Sequence, residues 1–338
     1  MNNKRQMIRN GLFFITIIIV TFMIIFHNYD FNKTINTILE VNVIYVLLGM
    51  ISMLIYFLCE SINIHSILLS LGKDIPILRC LKYTLIGFFF SGITPAAGGG
   101  QPMEIYYMKK DKIPVSNSTL ALLVQFSSFK VIMITFGITG AIINHHLLGK
   151  DFIWAFIIGL SLNSIAFIAM LIGLFGHKLS KKIINFLLGI LDKINYSKYE
   201  VIKENTYDML NNYYEGSKYI KKNKTIFIRT MGIVLIQMLA YYLVPYFIYR
   251  SFGLHSYNLI SIIFMQAMLF ISSSSIPLPG SVGISETIFL KIYLTIFGAS
   301  ILASAMLLNR TINFYLFMLI SFIVVLLNIM KHKKIKNN

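Results

Sequence analysis

Long apolar runs alternate along this chain with short basic connectors. A hydrocarbon core needs about 20 apolar residues per helix. Runs of that kind at 11–29, 41–59, 113–144, 152–176, 226–249 and 298–330 predict six spanning helices. Two further uncharged runs, 83–103 and 251–285, are interrupted by Pro and Gly. As one helix, the 35 residues from Ser251 to Ser285 would reach roughly 50 Å, against a core of about 30 Å. Pro lacks an amide N–H and Gly has excess backbone freedom, so neither cluster continues a regular helix. Both runs therefore predict broken, re-entrant helical hairpins.

The two interruptions resemble one another. Thr94-Pro95-Ala-Ala-Gly98-Gly99-Gly100-Gln101-Pro-Met-Glu104 and Pro277-Leu-Pro-Gly280-Ser-Val-Gly283-Ile-Ser-Glu286 both read Pro-x-x-Gly-x5-Glu, and both lead on to a lysine, Lys109 and Lys291. Broken helices in corresponding positions point to a transporter's binding site. Basic residues are enriched in cytoplasmic loops. Lys4, Arg5 and Arg9 before the first span and Lys73, Arg79 and Lys82 after the second place both ends of the first pair inside. The first hairpin is then entered from the cytoplasm. Three crossings separate it from the second, and three is odd, so the second is entered from outside. The fold expected is an all-α integral membrane protein with six spans and two re-entrant hairpins arranged as an inverted repeat. It forms one polytopic domain over 1–338, with pseudo-halves at 40–176 and 226–330. Both termini are expected in the cytoplasm.

Composition agrees. The chain is 57% hydrophobic and 13% charged, with mean hydropathy +0.73, whereas soluble domains carry roughly 25% charged residues. No small-residue cleavage site follows Phe26, so the first span reads as uncleaved. The net charge of +17 is explained by cytoplasmic lysines near anionic lipid rather than by nucleic acid. Ten of those lysines fall in the loop 177–225, the only sizeable hydrophilic stretch. Within it Ile183, Ile184, Leu187, Leu188, Leu191 and Ile194 recur at helical spacing, predicting an amphipathic helix on the inner leaflet. Cys59 and Cys80 lie in or beside apolar segments and read as inert packing. His145-His146 has no third ligand in view, and no metal or other cofactor is indicated.

Candidate chemistry concentrates at membrane depth. Of thirteen acidic residues, only Glu104 and Glu286 fall inside the interruptions. A charge in hydrocarbon costs several kcal/mol unless paired or hydrated, so an intramembrane charge is a functional candidate by default. Lys130 and Arg310 are the expected partners, either as structural ion pairs or as cations that meet a substrate phosphate. Gly98, Gly99, Gly100, Gly280 and Gly283 can leave backbone N–H groups facing a cavity ahead of a new half-helix, which attracts anions. They can equally allow close helix packing. Gln101, Ser272–Ser275, Gln125, Gln237, Gln266 and Asn309 read mostly as interhelical hydrogen-bonding residues. No nucleophile motif, zinc signature or phosphate loop accompanies the glutamates.

The residues Thr94–Glu104 and Pro277–Glu286 resemble the transmembrane region of lysylphosphatidylglycerol synthases, which also occurs alone as a family of flippase-like membrane proteins. The resemblance covers roughly residues 10–330. In two-part members a soluble C-terminal domain lysylates phosphatidylglycerol, and the membrane region moves the product outward, repelling cationic peptides. Here the sequence stops at Asn338, so synthase activity is not carried over. The resemblance implies a flippase-like transporter of a phosphate-bearing lipid, anionic or aminoacylated, in the cell membrane. Pro95, Gly98, Gly99, Gly100, Gln101, Glu104, Lys130, Pro277, Gly280, Gly283, Glu286 and Arg310 are the candidate substrate contacts. The alternatives are the membrane part of a lipid-modifying enzyme whose catalytic domain is on another chain, and a small-solute or ion transporter. A homo-oligomer and a separate lipid synthase are the partners left open besides phospholipid.

Overall fold

A computed structural model describes residues 29–145, 149–176, 199–274 and 276–337, with scattered positions in 16–23 and 178–189. Helices and turns account for these residues, and no strand occurs among them. Five of the described helices are long and apolar enough to cross a membrane: Val43–Ser70, Val115–Ile143, Phe152–Phe175, Lys224–Ser251 and Leu302–Met330. They correspond to five of the six expected spans. The sixth, 11–29, and the expected amphipathic helix at 183–194 lie essentially outside the described residues.

The chain enters through α1 (Phe31–Leu39), capped by Asp30, whose side chain accepts from Lys33 N at 2.9 Å. This segment was expected as a loop. Its apolar side packs toward the last span, where Ser304 Oγ donates to Thr34 O at 3.2 Å. Helix α2 (Val43–Ser70) outruns its expected end at residue 59 by more than two turns. Ile62, Ile64, Ile67 and Leu68 continue the apolar pattern beyond Glu60, so Glu60 lies inside the helix instead of ending it.

Helix α3 (Ile77–Ile93) and α4 (Gly100–Lys110) fold back on one another around a short 3-10 turn at Pro95–Ala97. At their open end Asp111 Oδ2 accepts from Lys82 Nζ at 2.7 Å and from Tyr83 OH at 2.5 Å. Helices α5 (Val115–Ile143) and α6 (Lys150–Phe175) follow. The loop helix that is described, α7 (Tyr199–Lys222), docks beneath them through Tyr213 OH to Gly173 O at 2.8 Å. Helix α8 (Lys224–Ser251) runs antiparallel to α2: Asn42 N donates to Ser251 O, and Asn63 Nδ2 to Thr230 O at the other end.

A second broken pair comprises α9 (Leu259–Ser274), a 3-10 turn at Pro279–Ser281 and α10 (Ile284–Ile292). It begins beside the C-terminal end of α5, where Asn144 Nδ2 donates to Ser261 O at 3.2 Å. The first pair hands over to α5 at the opposite end of that helix. After α11 (Leu294–Phe297), α12 (Leu302–Arg310) passes through a π-helical turn at Thr311–Tyr315 into α13 (Leu316–Asn337).

The two 3-10 turns pack on each other. Each contains two consecutive residues at positive φ, Ala96 (53°) and Ala97 (54°) in one and Gly280 (58°) and Ser281 (52°) in the other. Pro95 and Pro279 open the turns. The equivalence is thus two residues beyond the sequence alignment of Pro95 with Pro277.

Small residues set the helix spacing. A Cβ on Gly159 would collide with the backbone of Ile271 and Ser272, whereas one on Gly232 meets nothing within 4 Å. Without a hydrophobic drive between helices in lipid, such close approaches carry the packing. Gly159→Ala is expected to destabilise the protein by about 1–3 kcal/mol through backbone displacement. Gly232→Ala should leave stability unchanged or raise it by up to about 1 kcal/mol. Thermal unfolding of the two variants in detergent checks the contrast.

Candidate functional site

Where the two broken turns meet, they wall a cavity of ≈ 430 Å³. Ala96, Ala97, Gln101 and Glu104 reach it from one turn, and Leu278, Gly280, Ser281 and Ser285 from the other. Lys130 of α5 and Arg310 of α12 line it as well, as does Glu60 of α2. The volume falls within the range of ligand-binding clefts, roughly 300–1,000 Å³.

The second half holds a closed polar network. Arg310 Nε donates to Glu286 Oε1 at 2.7 Å, and Nη2 donates to Gly280 O at 3.0 Å. Glu286 also accepts from Tyr315 OH at 3.2 Å, from Ser285 Oγ at 2.9 Å and from the Gly283 N–H at 2.8 Å. The last bond exists because Glu286 is the third residue of α10, where a carboxylate can reach back to the capping N–H. The π-turn does the rest. Residues five apart are about 140° apart round an α-helix; the wider π-turn brings Arg310 and Tyr315 onto one side, both at Glu286. The guanidinium sits 4.4 Å from the Phe314 ring centroid, an added cation–π contact. The expected Glu286–Arg310 pair is therefore present, at 1% and 7% exposure.

The first half is built differently. Glu104 is the fifth residue of α4, too far along to cap its helix, and lies over Gly87, where a Cβ would collide with its carboxylate. Its expected partner Lys130 instead donates to the amide oxygen of Asn163 on α6. Glu104 Oε2 is buried without a hydrogen-bond partner. Beside it stands Glu60, 7% exposed, which the interrupted motifs do not contain. Glu60 Oε2 accepts from Gln237 Nε2 at 3.0 Å, and Gln237 Oε1 accepts from Gln125 Nε2 at 3.1 Å. Gln125 and Gln237 thus take the interhelical role expected of them.

The remaining candidates divide. Pro95, Gly98 and Pro277 are exposed at the turns. The N–H groups of Gly98, Gly99 and Gly283 are taken by Pro95 O, Thr94 Oγ1 and Glu286 Oε2, so they are engaged within the turns instead of being offered to a ligand. Gly100 allows close approach: a Cβ there would meet Ser91 Oγ and, at 2.9 Å, Gly87 O. Gly280 offers the cavity side a carbonyl, already claimed by Arg310.

Sequence reasoning missed Glu60, Asn163, Tyr315 and Asn313. Glu60 was detectable from the apolar positions that continue after it. Asn163 and Asn313 are polar residues within apolar runs, the kind of signal that points to Gln266 and Asn309, whereas Tyr315 carries none.

Unused polar capacity collects at this cavity. Glu104 Oε2, Gln266 Nε2, Asn309 Oδ1 and Asn313 Oδ1 are buried without partners, and all four residues line it. Buried polar groups are nearly always hydrogen-bonded, so four such atoms on residues around one cavity set it apart from an apolar core.

The family described as lysylphosphatidylglycerol synthase transmembrane region matches residues 11–321. The chain belongs to that family. It is also similar to a UPF0104 membrane protein of Pyrococcus horikoshii, 24% identical over 305 residues, covering 88% of this chain and 90% of the relative. Family, composition and helices together make it a multi-pass membrane protein of a lipid-related family.

Removing one partner of a buried ion pair leaves the other charge uncompensated, at about 3–5 kcal/mol. Arg310→Met is expected to cost that much, and Arg310→Met with Glu286→Gln to recover part of it. A double-mutant cycle by thermal unfolding in detergent measures the coupling.

Proposed function

We propose that the chain moves a phosphate-bearing lipid between bilayer leaflets, taking the headgroup through the cavity between the two broken turns. The observation that carries this reading is the coincidence in one cavity of two cations, Lys130 and Arg310, with the polar residues Glu60, Gln101, Glu104, Gln266, Asn309 and Asn313. An apolar solute has no use for such a lining, and a phosphate with its glycerol hydroxyls does. Arg310 is already balanced by Glu286, whereas Lys130 meets a neutral amide. Lys130 is therefore the stronger anion contact, and Arg310 with its network is the scaffold beside it.

The hairpins, starting at opposite ends of α5 and meeting tip to tip, support a re-entrant, inverted-repeat arrangement. In such architectures one half rocks against the other around a fixed central site. Aminoacylated phosphatidylglycerol fits the same cavity, with its ammonium toward Glu60 and Glu104. The family description, which names a synthase, favours a second reading: the membrane part of a lipid-modifying enzyme whose transferase acts from another chain.

Leaflet exchange of labelled anionic and lysylated phospholipids in proteoliposomes tests the proposal. A charge-assisted hydrogen bond is worth about 1.5–3 kcal/mol, so Lys130→Met should slow anionic-lipid exchange about 10- to 100-fold. Wild-type exchange no faster than in protein-free vesicles would count against transport and turn attention to the enzyme-subunit reading.

A further inference from the structure

The two halves of the cavity differ in how their acids are treated. Glu286 is saturated by Arg310, Tyr315, Ser285 and a backbone N–H. Glu60 and Glu104 both line the cavity, and among the described residues the hydrogen bond these carboxylates receive comes from the neutral Gln237 amide, onto Glu60. The independent sign of an unfilled role is Glu104, a residue 2% exposed that lines the cavity and whose buried Oε2 has no hydrogen-bond partner.

Titratable groups face this pair from several helices. Tyr56 is on the same helix as Glu60, Lys130 comes from α5, and Tyr241 from α8. Arg310 reaches the cavity from α12, with Glu286 of α10 and Tyr315 of the π-turn behind it. Among the described residues, α3, α6 and α9 contribute no ionisable side chain to the lining. Arg310 is neutralised locally by Glu286, which leaves Lys130 as the one uncompensated cation among the described lining residues.

Two carboxylates in one low-dielectric site cannot both ionise cheaply, so the pair retains one proton. With one shared proton the pair carries a single negative charge, which Lys130 balances, and the empty cavity is neutral. An anionic headgroup brings one further negative charge. A second proton on the pair restores neutrality, and burying net charge at membrane depth is the cost it avoids.

We infer that Glu60 and Glu104 form a proton-coupling site, which takes up one proton as an anionic headgroup enters and releases it as the headgroup leaves. The proton goes onto a carboxylate oxygen, converting carboxylate to carboxylic acid, and no other bond changes. Proton and lipid then travel the same way, and a pH difference across the membrane drives the lipid. This inference rests on the transport reading and adds its energy source.

The test uses the full chain in proteoliposomes that contain a headgroup-labelled phosphatidylglycerol, first at equal pH and then with a one-unit pH difference. One proton per lipid makes one pH unit worth a roughly tenfold distribution ratio. Wild type is expected to accumulate the label about tenfold in the less acidic side's leaflet. Glu60→Gln/Glu104→Gln, which cannot change its proton count, should show a ratio near one under the same gradient. Exchange at equal pH with an even wild-type distribution under the gradient would overturn the coupling and leave transport standing. No exchange at equal pH would overturn both. A tenfold ratio that persists in the double variant would overturn the assignment to these two residues. The wild-type measurement decides the coupling even if that variant does not fold.

Discussion

The structure depends on one constraint: backbone that leaves a helix among apolar segments must find its hydrogen bonds inside the protein. Two such breaks occur. They are placed against each other, with their loose groups satisfied locally. Thr94 takes the Gly99 N–H, Glu286 takes that of Gly283, and Arg310 takes the Gly280 carbonyl. Helix α3 packs against both turns, and Gly87 and Gly92 on it let Glu104 and Met318 approach closely.

The same constraint makes the junction polar, and so makes a cavity there useful. A turn whose own groups are satisfied leaves side chains free to face inward. On one side they are locked: the π-turn swings Tyr315 into line with Arg310, and Glu286 is held from four directions. On the other side Glu60, Glu104 and Lys130 keep most of their capacity unspent. Under the transport reading proposed above, one half would serve as a rigid polar anchor and the other as a responsive set of charges.

Several particulars show why local pattern reading stopped where it did. The two motifs align on Pro95 and Pro277, yet the turns open at Pro95 and Pro279, because conformation at the break is set by which residues take positive φ. That slip places Glu286 third and Glu104 fifth in their helices. One carboxylate can therefore cap its helix and the other cannot. Glu60 went unnoticed because a charge beside an apolar run reads as the end of a span. The partner that keeps it inside, Gln237, is 177 residues away, and Lys130 finds Asn163 on another helix, 33 residues away.

The amino-acid sequence by itself determined the material: the apolar runs that become spans, the Pro and Gly clusters that must break, and the two glutamates and two cations at membrane depth. These follow from the length of a helix against the thickness of a bilayer, and from the backbone limits of Pro and Gly, both local properties of the chain. Only the tertiary structure decided which charge meets which. Pairing depends on helices distant in sequence being brought within hydrogen-bond reach, and a helix face is specified by its neighbours as much as by its own residues. The sequence supplied a matched pair of ion-pair candidates; packing closed one of them and left the other open toward the cavity.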